Sequence, residues 1–189
     1  MISTRLAFEK NATLSDSALW HEQREFYHQQ GIKAFDNEVP FYITSNPYIA
    51  DNYAKIIAQF ISEWSKTNAN TAPFYILELG AGTGQFSYYT VKSLFLHLEK
   101  LNVKTENITY IMSDFTDNNL KYWQTHHALN TFVEKKQLDF SIFDIENDDT
   151  IHLIKQKKTL KKNTCINPMI VIANYLFDKR LTPRIYNHL

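Results

Sequence analysis

Glycine is scarce in this chain, with four in 189 residues, so most of its backbone is denied the left-handed angles that only glycine adopts without strain. Cysteine is scarcer still. Cys165 stands alone, which excludes an intrachain disulfide and a multi-cysteine metal site and leaves a small core residue or a free thiol. An excess of either charge is missing: twenty basic side chains meet twenty acidic ones, so nothing electrostatic points to nucleic acid or a membrane surface as partner. No apolar run approaches the about 18 residues of a membrane span. The start, Met1-Ile-Ser-Thr-Arg-Leu6, lacks the basic and apolar stretches of a secretory signal. A soluble, cytoplasmic protein is the expectation. What the chain does have is 44% hydrophobic and 14% aromatic residues, enough to exclude global disorder and to build one domain with a real core.

Three of the four glycines stand together, at Gly80, Gly82 and Gly84. The apolar run Phe74 to Leu79 before them reads as a buried strand, and an aromatic-rich helical pattern follows from residue 85. Glycines packed between a strand and a helix build a turn where a ligand can approach the main chain. The spacing narrows the ligand. A dinucleotide fingerprint places its third glycine one residue later, and a phosphate-binding loop would put Lys and then Ser or Thr where Gln85 and Phe86 stand. Glu78, two residues before Gly80, would repel a pyrophosphate and favour a cation. S-adenosylmethionine, with an ammonium, a sulfonium and no phosphate, meets these demands.

Leu77-Glu78-Leu79-Gly80-Ala81-Gly82-Thr83-Gly84 resembles the first motif of the class I S-adenosylmethionine-dependent methyltransferases. The resemblance implies an α/β fold with a Rossmann-like open parallel sheet and flanking helices, with S-adenosylmethionine held by Glu78, Gly80, Ala81, Gly82 and Gly84.

The pattern along the chain agrees. Residues 1–38 read as an N-terminal arm and a helix, Trp20 to Gln30, capped by Gly31. Val39 to Ile43 reads as extended. Asn46 and Pro47 open an amphipathic helix whose stripe is Ile49, Tyr53, Ile56, Ile57, Phe60 and Trp64. After strand one and a helix over 85–100 come strand two at 108–112, a helix capped by Asp117 and running to about Leu129, and strand three at 138–143. Residues 150–162 read as helix or loop, and Met169 to Ala173 as a fully buried strand four. Strands alternating with helices predict a parallel sheet, so residues 39–178 form the ligand-binding domain and 179–189 a tail.

Ligands of such sheets bind at the carboxyl ends of the strands. Asp114, with Phe115 beside it, ends strand two, where a carboxylate can accept both ribose hydroxyls of a nucleoside. In that role its removal weakens binding and leaves the fold untouched; a helix cap or solvated loop acid is the alternative. Asp144 and Ile145 follow strand three. The resemblance implies that the acid meets the adenine amino group and its neighbour packs on the ring, although Glu146, Asp148 and Asp149 make this loop acidic in any case. Asn174 and Asp178 follow strand four, where the resemblance places the transferred methyl group: Asn174 as hydrogen-bond partner of cofactor or substrate, Asp178 as proton acceptor. A strand terminator and a helix surface are the plainer readings.

A second resemblance is to the MidA-like methyltransferases, through Phe41 to Ala50 and Asn174-Tyr175-Leu176-Phe177-Asp178. That family includes enzymes that methylate protein arginine. This chain departs from it at Tyr175, where the family has Glu, so the substrate is not carried over with the motif. His126-His127 is adjacent rather than at metal-ligand spacing. The run Lys155, Lys157, Lys158, Lys161 and Lys162 reads as a solvated segment before strand four.

The resembled fold has seven strands, of which four are reached by Ala173; three more with their helices need on the order of 70 residues. The expectation is the cofactor-binding half of a methyltransferase, truncated after strand four. Its methyl acceptor is unnamed, with a protein as one candidate, and strand four, left as an exposed edge, would invite self-association. A non-catalytic S-adenosylmethionine-binding module and an NAD-binding oxidoreductase fragment remain as alternatives. The position of Gly84 and the charge of Glu78 argue against the latter.

Overall fold

The structure, a computed structural model, describes residues 17–37, 43–174 and 176. Of the extended segment expected at 39–43 only Ile43 is described, and the tail from residue 179 lies outside the described residues.

Four parallel strands form the central sheet: β1 (Phe74–Leu79), β2 (Ile108–Asp114), β3 (Leu138–Ile142) and β6 (Ile170–Ala173), in the order β3-β2-β1-β6. The two inner strands are buried along their whole length. This is the strand order of the first four strands of a doubly wound α/β fold, in which the chain reverses direction across the sheet between β1 and β6. Among the described residues β6 pairs only with β1. Contrary to expectation it is not fully buried: Ile172 is, but Val171 is 44% exposed.

Helices cover one face of the sheet. α1 (Ala18–Gln30) runs through a 3-10 turn (Gly31–Lys33) into α2 (Ala34–Asn37). α3 (Pro47–Thr67) starts as its residues dictate, with Asn46 Oδ1 accepting the N–H of Ile49 at 3.0 Å and Pro47 in the first turn. Its inward face differs from the predicted stripe. Ala50, Ala54, Ile57, Ala58 and Ile61 are buried, whereas Ile56 is 71% exposed and Tyr53 and Phe60 are partly so. The alanines win because α3 lies close against α4 (Gln85–Lys100), and small side chains permit close approach of two helices. Asp51 ties the pair, accepting from Ser93, His97 Nε2 (2.7 Å) and Lys55 (2.6 Å). The Lys55 bond, followed by those from Ser93 and His97, holds its carboxyl well below the usual range.

The helix expected from 117 to about 129 is two helices, α5 (Asp117–Thr125) and α6 (His127–Glu134). The residue outside its first turn is Thr116 rather than Asp117. The extended backbone of His126 makes the break. Trp123 and Leu129 are both buried, and six residues apart on one continuous helix they would point to different sides.

The other face carries an antiparallel hairpin, β4 (Thr150–Leu153) and β5 (Lys158–Lys161), which corrects the reading of 150–162 as helix or loop. Leu153 and Leu160 pack on Tyr75, Leu77, Leu79 and Ile111 of the sheet. Buried Asp139 accepts the N–H groups of Lys155 (2.8 Å) and Gln156 (2.9 Å), fixing the hairpin turn on β3. The lysines of the run are exposed, as expected of a solvated segment.

Candidate functional site

The carboxyl ends of β1, β2, β3 and β6 open into one cavity of about 590 Å³, within the range of small-molecule sites. Its floor is the glycine turn. Gly80, Gly82 and Gly84 take φ of +70°, +52° and +76°, the left-handed region that favours glycine. The turn is held from below: the Ala81 N–H donates to Ser113 O at 2.9 Å, and Trp123 Nε1–H donates to Gly82 O at 3.0 Å. α4 then starts directly from Gly84, with Thr83 Oγ1 accepting the N–H of Gln85 at 3.2 Å.

The predicted residues divide. Glu78, Gly80, Ala81, Gly82, Asp114, Phe115, Asp144, Ile145 and Asn174 all border the cavity. Gly84 does not. It is set back against Met112 and Trp123, where a Cβ would lie 2.7 Å from Met112 Cε. Asp178 lies outside the described residues.

Glu78 is 5% exposed and accepts through Oε2 from Ser87 (2.5 Å) and Tyr110 (2.7 Å). Burial pushes its carboxyl up to about 7 against these two donors, with the charge of Asp114 adding to the rise. The same burial, with Glu78 beside it, drives the Tyr110 hydroxyl well above its ordinary value.

Asp114 is engaged on both oxygens. Oδ1 accepts the N–H and Oγ1–H of Thr116 at 3.1 and 3.2 Å, and Oδ2 accepts the Gly82 N–H at 3.2 Å and Asn119 Nδ2 at 3.0 Å. Burial raises its carboxyl above the ordinary value, and those donors oppose the rise. The expectation that it serves a ligand and not the fold is therefore corrected in its second half: Asp114 joins the glycine turn to the start of α5. Asn119, itself at the cavity wall, has a buried Oδ1 without a hydrogen-bond partner among the described residues.

Asp144 organises the acidic loop after β3, accepting the Glu146 N–H at 3.1 Å and Asn147 Nδ2 at 2.7 Å. Asn174 Oδ1 accepts the Tyr53 hydroxyl at 3.1 Å, which brings α3 to the end of β6.

The sequence reading missed the wall opposite the sheet. Trp20, Arg24 and Tyr27 of α1, Phe35 of α2, and Thr44 and Ser45 before α3 also border the cavity. The Arg24 guanidinium is paired with Asp144, lies 3.7 Å from Glu146 and sits over the Phe115 ring at 4.4 Å. One signal was available. Gly31, the glycine outside the turn, has φ +51°, and a Cβ there would meet Asn118 Cβ at 2.8 Å, so it marks where this wall docks on α5.

Among the described residues, four carboxylates, Glu78, Asp114, Asp144 and Glu146, thus face a cavity bordered by one arginine and no lysine. Such a lining favours a cationic or N–H-rich ligand and opposes a pyrophosphate.

No family model matches the chain, and no curated protein matches it. Among solved structures it is similar to magnesium protoporphyrin IX methyltransferase from Synechocystis PCC 6803 with bound SAH, at 11% identity and a TM-score of 0.34, covering 68% of this chain and 53% of that one. The plantazolicin methyltransferase BpumL in complex with SAH gives 19% identity and a TM-score of 0.34, covering 69% and 45%. An uncharacterised protein from Burkholderia thailandensis gives 15% identity and a TM-score of 0.35, covering 67% and 35%. The chain therefore spans about half of these proteins' length or less. Likeness at this level leaves the functional reading to the geometry of the cavity.

Proposed function

We propose that the cavity binds S-adenosylmethionine and that the chain carries the cofactor-binding half of a methyltransferase whose acceptor is to be found. The observation that carries this reading is the pairing of a three-glycine turn with four carboxylates at the carboxyl ends of one parallel sheet. The donor set fits the group. Gly80 leaves the main chain open, with no atom nearer than 3.8 Å to the place of its missing Cβ, Asn119 has an acceptor to spare, and the acids suit an ammonium, a ribose and an amino-bearing base in turn.

In this reading Glu78 favours the cationic amino-acid end, Asp114 and Asn119 address the ribose hydroxyls, and Phe115, Asp144 and Ile145 form the base subsite. When bound, the cofactor supplies an electrophilic methyl group on a sulfonium. The chain's part is to orient it and to exclude water, and Asn174 at the end of β6 offers a hydrogen-bond acceptor to an incoming nucleophile. Asp178 is proposed as the proton acceptor.

A protein is one acceptor to test, although Tyr175, standing where the MidA-like methyltransferases have Glu, does not carry their substrate over. Thr44 and Ser45, just before α3, lie at the cavity wall. A second reading, binding without catalysis, is favoured by one observation: Asn174 Oδ1 is already used by Tyr53.

Calorimetry with S-adenosylmethionine, SAH and NAD tests the ligand. The first two are expected to bind; NAD binding in their place would overturn the reading. A methyl-transfer assay on protein acceptors then separates the enzyme from the binding module.

A further inference from the structure

Helix α1 buries none of its residues completely, yet it closes one side of the cavity. Polar ties hold it there. Arg24 pairs with Asp144 and Glu146, the His28 carbonyl accepts from Asn118 Nδ2 at 3.3 Å, and Gly31 seats the turn after the helix on α5.

Arg24 occupies a particular place. Phe115, following β2, offers a flat ring face, and Asp144, following β3, offers a carboxylate. Together they make a recess for a flat group bearing N–H donors. A guanidinium is such a group, and so is a 6-aminopurine. With the guanidinium carbon 4.4 Å from the Phe115 centroid, no third layer fits between them, because two stacked spacings need about 7 Å. Arg24 and a base stacked on the same face of Phe115 exclude each other.

We propose that α1 is a lid and Arg24 its latch: the guanidinium holds the base subsite shut, and a nucleoside enters only when its own amino-bearing base takes over the contacts with Phe115 and Asp144. The base subsite follows from the function proposed above, and this inference rests on that reading. The latch is releasable. The Arg24 side chain is 37% exposed against 16% for Asp144, so water reaches the latch from the helix side, and an element with few buried contacts opens at low free energy. The device also selects, since a base without an amino group stacks on Phe115 but leaves Asp144 without the donor that Arg24 gave up.

Hydrogen exchange without ligand and calorimetry with SAH, on wild type, Arg24→Ala and Arg24→Lys, test the proposal. In Arg24→Ala the amides of α1 are expected to exchange faster while those of β1 and β2 do not. SAH is expected to bind about tenfold more tightly, because the fraction held shut is lost. Arg24→Lys, which keeps the charge but not the flat donor plane, should fall between. Unchanged α1 protection overturns the latch. Weaker SAH binding in Arg24→Ala overturns it too, making Arg24 a ligand contact. Loosened α1 with no SAH binding to any of the three proteins refutes the cofactor reading and, with it, the release of Arg24 by a nucleoside.

Discussion

The carboxylate of Asp114 accepts the backbone N–H of Gly82 at 3.2 Å, so the acid that ends β2 holds the turn that follows β1. Asp114→Ala removes this bond and those from Asn119 and Thr116, leaving buried donors unpaired. We expect a loss of about 2–4 kcal/mol of stability together with weaker SAH binding. Urea unfolding and calorimetry on the same variant read the two effects. An unchanged unfolding midpoint would show that the turn holds itself.

Glu78 makes stability fall as pH rises. Its carboxyl titrates near 4.5 when unfolded and at about 7 when folded. Between those values the folded chain keeps a proton that the unfolded chain has lost, so the unfolded state gains. The contribution is present below pH 4.5, declines through the window and is gone above about 7, at roughly 1.4 kcal/mol per unit. Glu78→Gln should flatten this part of the profile and raise the melting temperature at pH 8 relative to wild type. Parallel profiles for the two proteins would count against a buried, proton-holding Glu78. A cationic ligand should conversely bind wild type more tightly as pH climbs through 7.

Gly84 and Gly80 separate packing from ligand access. Alanine at either must adopt a left-handed backbone, costing about 1–2 kcal/mol. At Gly84 the new Cβ also meets Met112 Cε at 2.7 Å and the Trp123 ring at 3.3 Å, and both side chains are fully buried, adding about 1–3 kcal/mol of overpacking. At Gly80 the nearest atom is Leu176 Cδ1 at 3.8 Å. Thermal melts should place Gly84→Ala well below Gly80→Ala, while SAH binding should suffer in Gly80→Ala, whose glycine borders the cavity.

Along β6, Val171 is 44% exposed, and among the described residues the strand pairs on one side only. An apolar unpaired edge invites another strand. Concentration-dependent self-association by light scattering is the expected outcome, reduced by Val171→Lys. A monomer at all concentrations would show that the edge is covered.

The sequence by itself determined the glycine turn, the central strands and the start of α4. Those features rest on local physics, namely apolar runs long enough for a buried strand and glycines where the backbone turns left-handed. It also brought Glu78, Asp114, Asp144 and Asn174 to one rim, because parallel strands end on the same side. The tertiary structure decided what those residues touch. Asp139 docking the hairpin, the alanine face of α3 and the four donors on Asp114 depend on segments that meet only after folding. Arg24 and Asp144 stand 120 residues apart, and no periodicity within a helix that buries nothing completely marks such a partner. Local pattern fixes which way a backbone can turn, whereas only packing decides which distant side chain closes over the site.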